Sequence, residues 1–254
     1  MTQSSTTPLW YRDYGAGDPL LLLHPAAVDS RAFTPNVPAL SEHFHVFTPD
    51  RRGHGHTPDV DGPLTFDLMA NDTVDFLEQV ITAPTALLGY SDGATVALLT
   101  ALRRPDLITH LILVAGVYHR SGWAPGILDQ DLTPPDFMRD AYAEVSPHGR
   151  AHYDTILRKI AAEHTTQPAL TPADLATLPT RTLILLGDDD EVLPTHAQSL
   201  YESLPNAELA VVPGTSHGLL SEKPSLCHAI LLDFLTNAPV ETFAPIRRKP
   251  AAPN

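Results

Sequence analysis

The stretch Ala86-Leu87-Leu88-Gly89-Tyr90-Ser91-Asp92-Gly93-Ala94 limits the possible folds of this chain more than any other. An apolar run ends in Gly89-Tyr90-Ser91-Asp92-Gly93 and passes at once into a segment with Ala94, Ala97, Leu98, Ala101 and Leu102 at helical spacing. That pattern reads strand, tight turn, helix. So sharp a turn holds Ser91 at its tip in a strained backbone conformation. Side chains at 89 or 93 would collide with the neighbouring strand and helix, which favours glycine at both. The hydroxyl then stands at a helix N-terminus, where free N–H groups and the helix dipole favour developing negative charge. An ordinary turn with a serine N-cap would use the same five residues. The strand before and the helix after weigh towards a nucleophile.

Around this turn the chain alternates. Residues 9–14 and the turn cluster Gly15-Ala16-Gly17-Asp18-Pro19 lead into Leu20-Leu21-Leu22-Leu23-His24, and further strands are predicted at 45–49, 84–88, 111–115, 182–186 and 207–212. Helices are predicted over 33–43, 65–81, 92–104, 195–203 and 222–236. Continuous apolar strands separated by helices predict an α/β fold: a mostly parallel sheet covered on both faces. The rhythm breaks from 117 to 178, where proline pairs and two amphipathic helices, near 134–144 and 148–164, predict a helical cap. The expected layout is a core over 1–116 and 179–236, a cap over 117–178 and a mobile Pro-rich tail over 237–254.

The formal net charge of −14 argues against nucleic acid or an anionic membrane as partner, since either would repel the chain. One cysteine, Cys227, cannot form an internal disulfide and reads as an apolar filler in the last helix. The first eight residues lack a basic segment followed by an apolar stretch, and no run approaches the ~20 apolar residues of a membrane span, so the expected location is the cytoplasm. Nothing in the sequence marks an oligomeric state.

In parallel sheets functional groups collect on loops at the carboxyl ends of strands. Two such loops carry what Ser91 needs: Gly187-Asp188-Asp189-Asp190-Glu191, and Gly214-Thr215-Ser216-His217-Gly218. A serine hydroxyl is a poor nucleophile until a histidine takes its proton, and a carboxylate must hold that histidine in the right tautomer. Among 13 histidines, His217 is singled out by its flanking glycines and the buried strand before it. For the acid, residues 188–191 offer four candidates in a row.

At this point the chain resembles the α/β-hydrolase superfamily, in particular its small bacterial esterase-like members. The resemblance runs from about residue 9 to 236, carried by Leu22-Leu23-His24, Asp50-Arg51-Arg52-Gly53-His54-Gly55, Gly89 to Gly93, Gly187 to Asp190 and Gly214 to His217. It implies a cap inserted after the sixth strand and Asp190 as the acid, with Asp188 the fallback. It also implies an oxyanion hole made by the backbone N–H groups of Asp92 and Ala26, where this chain has His24-Pro25 in place of a His-Gly pair. No cofactor or metal is implied. Asp50, His54 and His56 read as a structural loop rather than a metal site, and His148 and His152, without a following glutamate, as exposed on a cap helix.

The resemblance thus implies a serine hydrolase acting on a small or medium carboxylic ester or lactone through an acyl-enzyme. Serine at position 91 sets the chain apart from members that attack an alkyl carbon with aspartate. The cap is expected to line the pocket with Trp123, Ile127, Leu128, Phe137, Met138, Tyr142 and Tyr153. Acyl transfer, peroxidase-like chemistry, thioester hydrolysis and carbon–carbon bond hydrolysis use the same fold, which also serves non-catalytic ligand binding. The motif leaves these open.

Overall fold

The computed structural model describes residues 7–129 and 134–246. Seven strands form one sheet: β1 Tyr11–Tyr14, β2 Pro19–Leu23, β3 His45–Pro49, β4 Thr85–Tyr90, β5 Ile108–Val114, β6 Arg181–Gly187 and β7 Ala207–Val212. Their order is β1-β3-β2-β4-β5-β6-β7, with β1 antiparallel to β3 and every other pair parallel. The helices are α1 Val37–Ser41, α2 Phe66–Phe76, α3 Asp92–Arg103, α4 Asp136–Ala143, α5 Tyr153–His164, α6 Pro172–Leu175, α7 Pro194–Ser203, α8 Leu219–Glu222 and α9 Pro224–Thr236.

The period of two along each strand divides the core into two layers. Leu21, Leu23, Leu87, Leu111, Leu113, Ile184 and Leu186 face α2, α3 and α7, whose Met69, Ala97 and Leu200 belong to the same apolar cluster. Leu20, Leu22, Leu88, Ile112, Val114 and Leu185 face α1 and α9, which supply Leu40, Cys227 and Leu231. Cys227 is thus the buried filler its position predicts. Each leucine so buried contributes about 1.5–3 kcal/mol of transfer free energy.

Where helix limits differ from expectation, local chemistry explains most of it. The final helix is two, α8 and α9, because Pro224 has no N–H to continue the first. The 65–81 helix is α2 followed by a π-helical turn, Leu77–Ile81, that Thr82 closes at φ 58°. The 33–43 helix is a 3₁₀ turn, Ser30–Phe33, and then α1, with Pro38 at its start. The 148–164 helix begins as a 3₁₀ turn after Gly149, whose φ is +73°. Five strands, not six, precede the insert among the described residues, because only β1 stands before the Gly15–Pro19 turn.

The segment between β5 and β6 carries α4, α5 and α6. Its Tyr142, Tyr153, Ile156, Ile160 and Leu175 join the same apolar cluster as β4 and α3. No helix of the described residues is long and apolar enough to cross a membrane. Beyond α9, residues 237–246 form no helix or strand, and Val240, Phe243 and Ile246 stand exposed. The remainder of the expected tail, 247–254, lies outside the described residues.

Candidate active site

β4 enters the turn and α3 leaves it, with Ser91 between them at φ 56°, ψ −121°. For a residue with a Cβ this backbone conformation costs on the order of 1–3 kcal/mol. Both glycines are required by close approach. A Cβ on Gly89 would lie 2.1 Å from the Gly93 carbonyl oxygen, and one on Gly93 would lie 2.2 Å from that of Leu23, at the end of β2. The Ser91 N–H donates to Val114 O at 2.8 Å, tying the turn to β5.

The loop after β7 brings His217 Nε2 to 2.9 Å from Ser91 Oγ. Several contacts hold that loop: Thr215 Oγ1 donates to Val212 O at 2.8 Å, the Ser216 N–H to Glu222 Oε2 at 2.7 Å, and the Tyr90 hydroxyl to the His217 carbonyl. The loop after β6 supplies the carboxylate. Asp190 Oδ1 lies 2.8 Å from His217 Nδ1 and accepts the Val192 N–H at 3.1 Å, while Oδ2 accepts the Gly187 N–H at 3.0 Å. Of the four acidic candidates, Asp190 has a fully buried side chain. Asp188 is turned to the Thr215 N–H, 3.0 Å away, and Glu191 Oε2 stays 3.9 Å from His217 Nε2.

The charges are mutually stabilising. Burial alone would lower the His217 pKa, but the hydrogen bond and charge of Asp190 outweigh it and raise it above the ordinary 6.5. Burial would likewise raise Asp190, and His217 with the two backbone donors brings it below 3.8.

Ala26 lies on the loop after β2 and lines one cavity with Ser91 and Asp92. Two histidines brace this loop. The Arg51 N–H donates to His24 Nε2 at 3.0 Å and the Ala27 N–H to His54 Nε2 at 3.3 Å. Each ring therefore carries its proton on Nδ1, which faces a carbonyl, Pro25 O at 2.7 Å and Arg52 O at 2.9 Å respectively. Burial keeps both rings neutral and brings His54 down to about 4. Asp50 closes the next turn, accepting the N–H groups of Ser30 and His56 at 2.9 Å. No metal-binding group of three or more His, Cys, Asp or Glu occurs among the described residues.

The cavity over Ser91 has a volume of about 870 Å³. Trp123, Ile127, Leu128 and Met138 line it. Phe137 and Tyr142 line instead a smaller neighbouring cavity of about 210 Å³, with Phe137 70% exposed. Tyr153 lines neither: it is fully buried, and its hydroxyl donates to Ala27 O at 2.8 Å. It is a packing residue between insert and sheet.

His148 is exposed but precedes α5, and it accepts the Asp59 N–H at 2.9 Å. His152 is half-buried and lies 2.9 Å from Asp59 Oδ2. The residue that sequence reasoning missed is His164, the last of α5. Its Nε2 lies 3.0 and 3.1 Å from the two carboxylate oxygens of Asp92. Helical periodicity marks the face of α5 that is buried, but carries no signal for a partner 72 positions away.

The sequence profile of the Alpha/beta hydrolase family matches residues 20–229. A protein of Agrobacterium fabrum, provisionally named as a carbamate hydrolase, is 28% identical over 248 residues, covering 87% of this chain and 94% of that protein. The (E)-2-((N-methylformamido)methylene)succinate hydrolase of Acinetobacter baylyi is 31% identical over 115 residues, 44% of this chain and 42% of that protein. Among solved structures, a meta-cleavage product hydrolase from Pseudomonas fluorescens IP01 superposes with a TM-score of 0.75 at 22% identity, covering 89% of this chain and 93% of that one. At that identity the likeness shows the fold.

Proposed function

The chain belongs to the alpha/beta hydrolase family, and on that premise we propose that it is a serine hydrolase that cleaves small or medium carboxylic esters or lactones through an acyl-enzyme on Ser91. The observation that carries this reading is the continuous relay Asp190–His217–Ser91, with contacts of 2.8 and 2.9 Å, ending on a serine held at a strained turn. As Ser91 Oγ attacks the substrate carbonyl carbon, its proton passes to His217 Nε2, and Asp190 stabilises the imidazolium so formed. The carbonyl oxygen takes up the negative charge, between the N–H of Asp92 at the start of α3 and the N–H of Ala26. One such donor is worth about 2.7–4 kcal/mol of transition-state stabilisation. The imidazolium returns its proton to the leaving alkoxide, and water, activated by the same imidazole, then releases the acid and restores Ser91. These steps use side chains and backbone of this chain alone.

Intact-mass analysis after exposure to a fluorophosphonate tests the reading, alongside turnover of 4-nitrophenyl esters of graded acyl length. One adduct is expected on the parent, none on Ser91→Ala, and much slower labelling of His217→Ala. A folded parent that neither labels nor turns over any ester overturns hydrolysis and favours ligand binding. Preferential transfer of the acyl group to an added alcohol or peroxide, rather than to water, would identify acyl transfer.

A further inference from the structure

One wall of the Ser91 cavity carries a charge arrangement that the relay does not use. Asp92 directly follows the nucleophile, and its carboxylate is buried at the N-terminus of α3. Taken alone, a buried carboxylate so close to Ser91 opposes a transition state that gains negative charge. Here both of its oxygens are engaged by His164 Nε2, at 3.0 and 3.1 Å. A carboxylate at Nε2 fixes a proton there, and the C-terminal end of α5 adds a further preference for positive charge. Below its raised pKa the ring is a cation on the cavity wall beside the nucleophile.

That cation has a donor to spare. His164 Nδ1 has no hydrogen-bond partner among the described residues, and the ring lines the cavity. Arg120 flanks it: its Nε donates to the His164 carbonyl at 3.2 Å, and its side chain lines the same cavity without a carboxylate partner among the described residues. The charged groups acting on His164 are Asp92 on α3, Glu163 on its own helix and Arg51 from the loop after β3, while Phe66 stacks on the ring and Trp123 lies tilted to it. Burial and Arg51 oppose protonation, and the two carboxylates outweigh them, so the ring titrates above its ordinary 6.5. Asp129 and Glu191 line other parts of the wall and repel an anion, while on the α5 side Asp154 is paired with Arg139 at 3.0 Å and Arg158 adds a further cation, which favours the α5 side for an anion.

We propose that His164, flanked by Arg120, receives a carboxylate of the substrate, so that the acyl compounds this site prefers are anionic, such as monoesters of dicarboxylic acids. For the chemistry this rests on the Ser91 reading above; for the binding it does not. The test therefore separates the two. Ser91→Ala protein is titrated calorimetrically with glutaryl 4-nitroanilide and with its neutral counterpart of equal chain length, pentanoyl 4-nitroanilide. The expected result is about tenfold tighter binding of the glutaryl compound near neutral pH, falling towards parity when His164→Gln is added. The preference is also expected to shrink as pH rises and His164 loses its charge, because the ligand carboxylate stays ionised throughout. Arg120→Gln, on the exposed rim, provides a second variant should the His164 change disturb folding, and is expected to lower the same preference. Equal binding of the two ligands, or a preference that both variants leave intact, overturns the inference. Fluorophosphonate labelling of the parent without anion preference refutes it while leaving hydrolysis standing; anion preference without labelling does the reverse.

Discussion

Replacing Asp190 by asparagine probes the relay at its most constrained point. The carboxylate accepts three hydrogen bonds, from His217 Nδ1 and the Val192 N–H on Oδ1 and from the Gly187 N–H on Oδ2. An amide offers one oxygen. Placed at the Oδ1 position, that oxygen keeps two of the three donors, and the NH₂ group meets the Gly187 N–H head on. Flipped, it keeps one donor, confronts the Val192 N–H and drives His217 into the tautomer with its proton towards Ser91. The first arrangement is preferred, so the tautomer survives and the loss is chiefly that of charge. With charge centres about 4 Å apart and an effective dielectric near 20, the attraction between carboxylate and imidazolium is roughly 4 kcal/mol. That corresponds to about 10³-fold in rate. The unpaired Gly187 N–H adds about 1–3 kcal/mol of lost stability. The assays are kcat/KM on 4-nitrophenyl acetate and urea unfolding, with ¹⁵N shifts of His217 reporting its tautomer. Asp188→Asn, whose carboxylate faces the backbone N–H groups of Thr215 and Gly214 rather than His217, serves as comparison. An Asp190→Asn enzyme within tenfold of the parent rate would refute the argument that this carboxylate supports the base.

Two further outcomes are expected. Because His217 must be neutral to accept the Ser91 proton and its pKa lies above 6.5, kcat/KM should rise with pH through a midpoint above 6.5 and fall away below it; a pH–rate profile with its acid limb at or under that value contradicts the assigned influence of Asp190. Gly93→Ala drives a methyl to 2.2 Å from Leu23 O and 2.7 Å from His24 O, both backbone atoms, so it should cost about 1–3 kcal/mol in urea unfolding and depress ester turnover; an unchanged unfolding midpoint rules out tight packing of the turn against β2.

The turn and its two partner loops are legible in the sequence because each signal is local: glycines where backbones touch, an apolar run before, a helical spacing after. The choice of Asp190 among four adjacent acids is not local. It is decided by which side chain turns inward after Gly187, and only the fold shows that Asp188 is turned instead to the Thr215 N–H. The cavity wall was half legible. Trp123 and Met138 line it, whereas Tyr153, aromatic like Trp123 and on an amphipathic helix like Met138, is spent on packing, since amphipathicity tells which face is buried but not what it is buried against. His164 carried no signal at all, because its meaning comes from Asp92 across the fold. The break at Pro224 carries a local signal that the single predicted helix over 222–236 passes over, since a proline at that point both ends one helix and suits the first turn of the next.

The insert between β5 and β6 shares one apolar cluster with the sheet and α3: Tyr142, Tyr153, Ile156 and Ile160 sit together with Leu23, Leu87 and Ala97. It is therefore not an interchangeable attachment. Transplanting a relative's insert onto this sheet would alter the pocket and strip interior contacts in the same act, and the converse graft would inherit a surface shaped for another interior. Variation in substrate choice is consequently tethered to folding stability in this chain, and changes of specificity should be reached by single substitutions along the cavity-facing side of α5 sooner than by exchange of the whole segment.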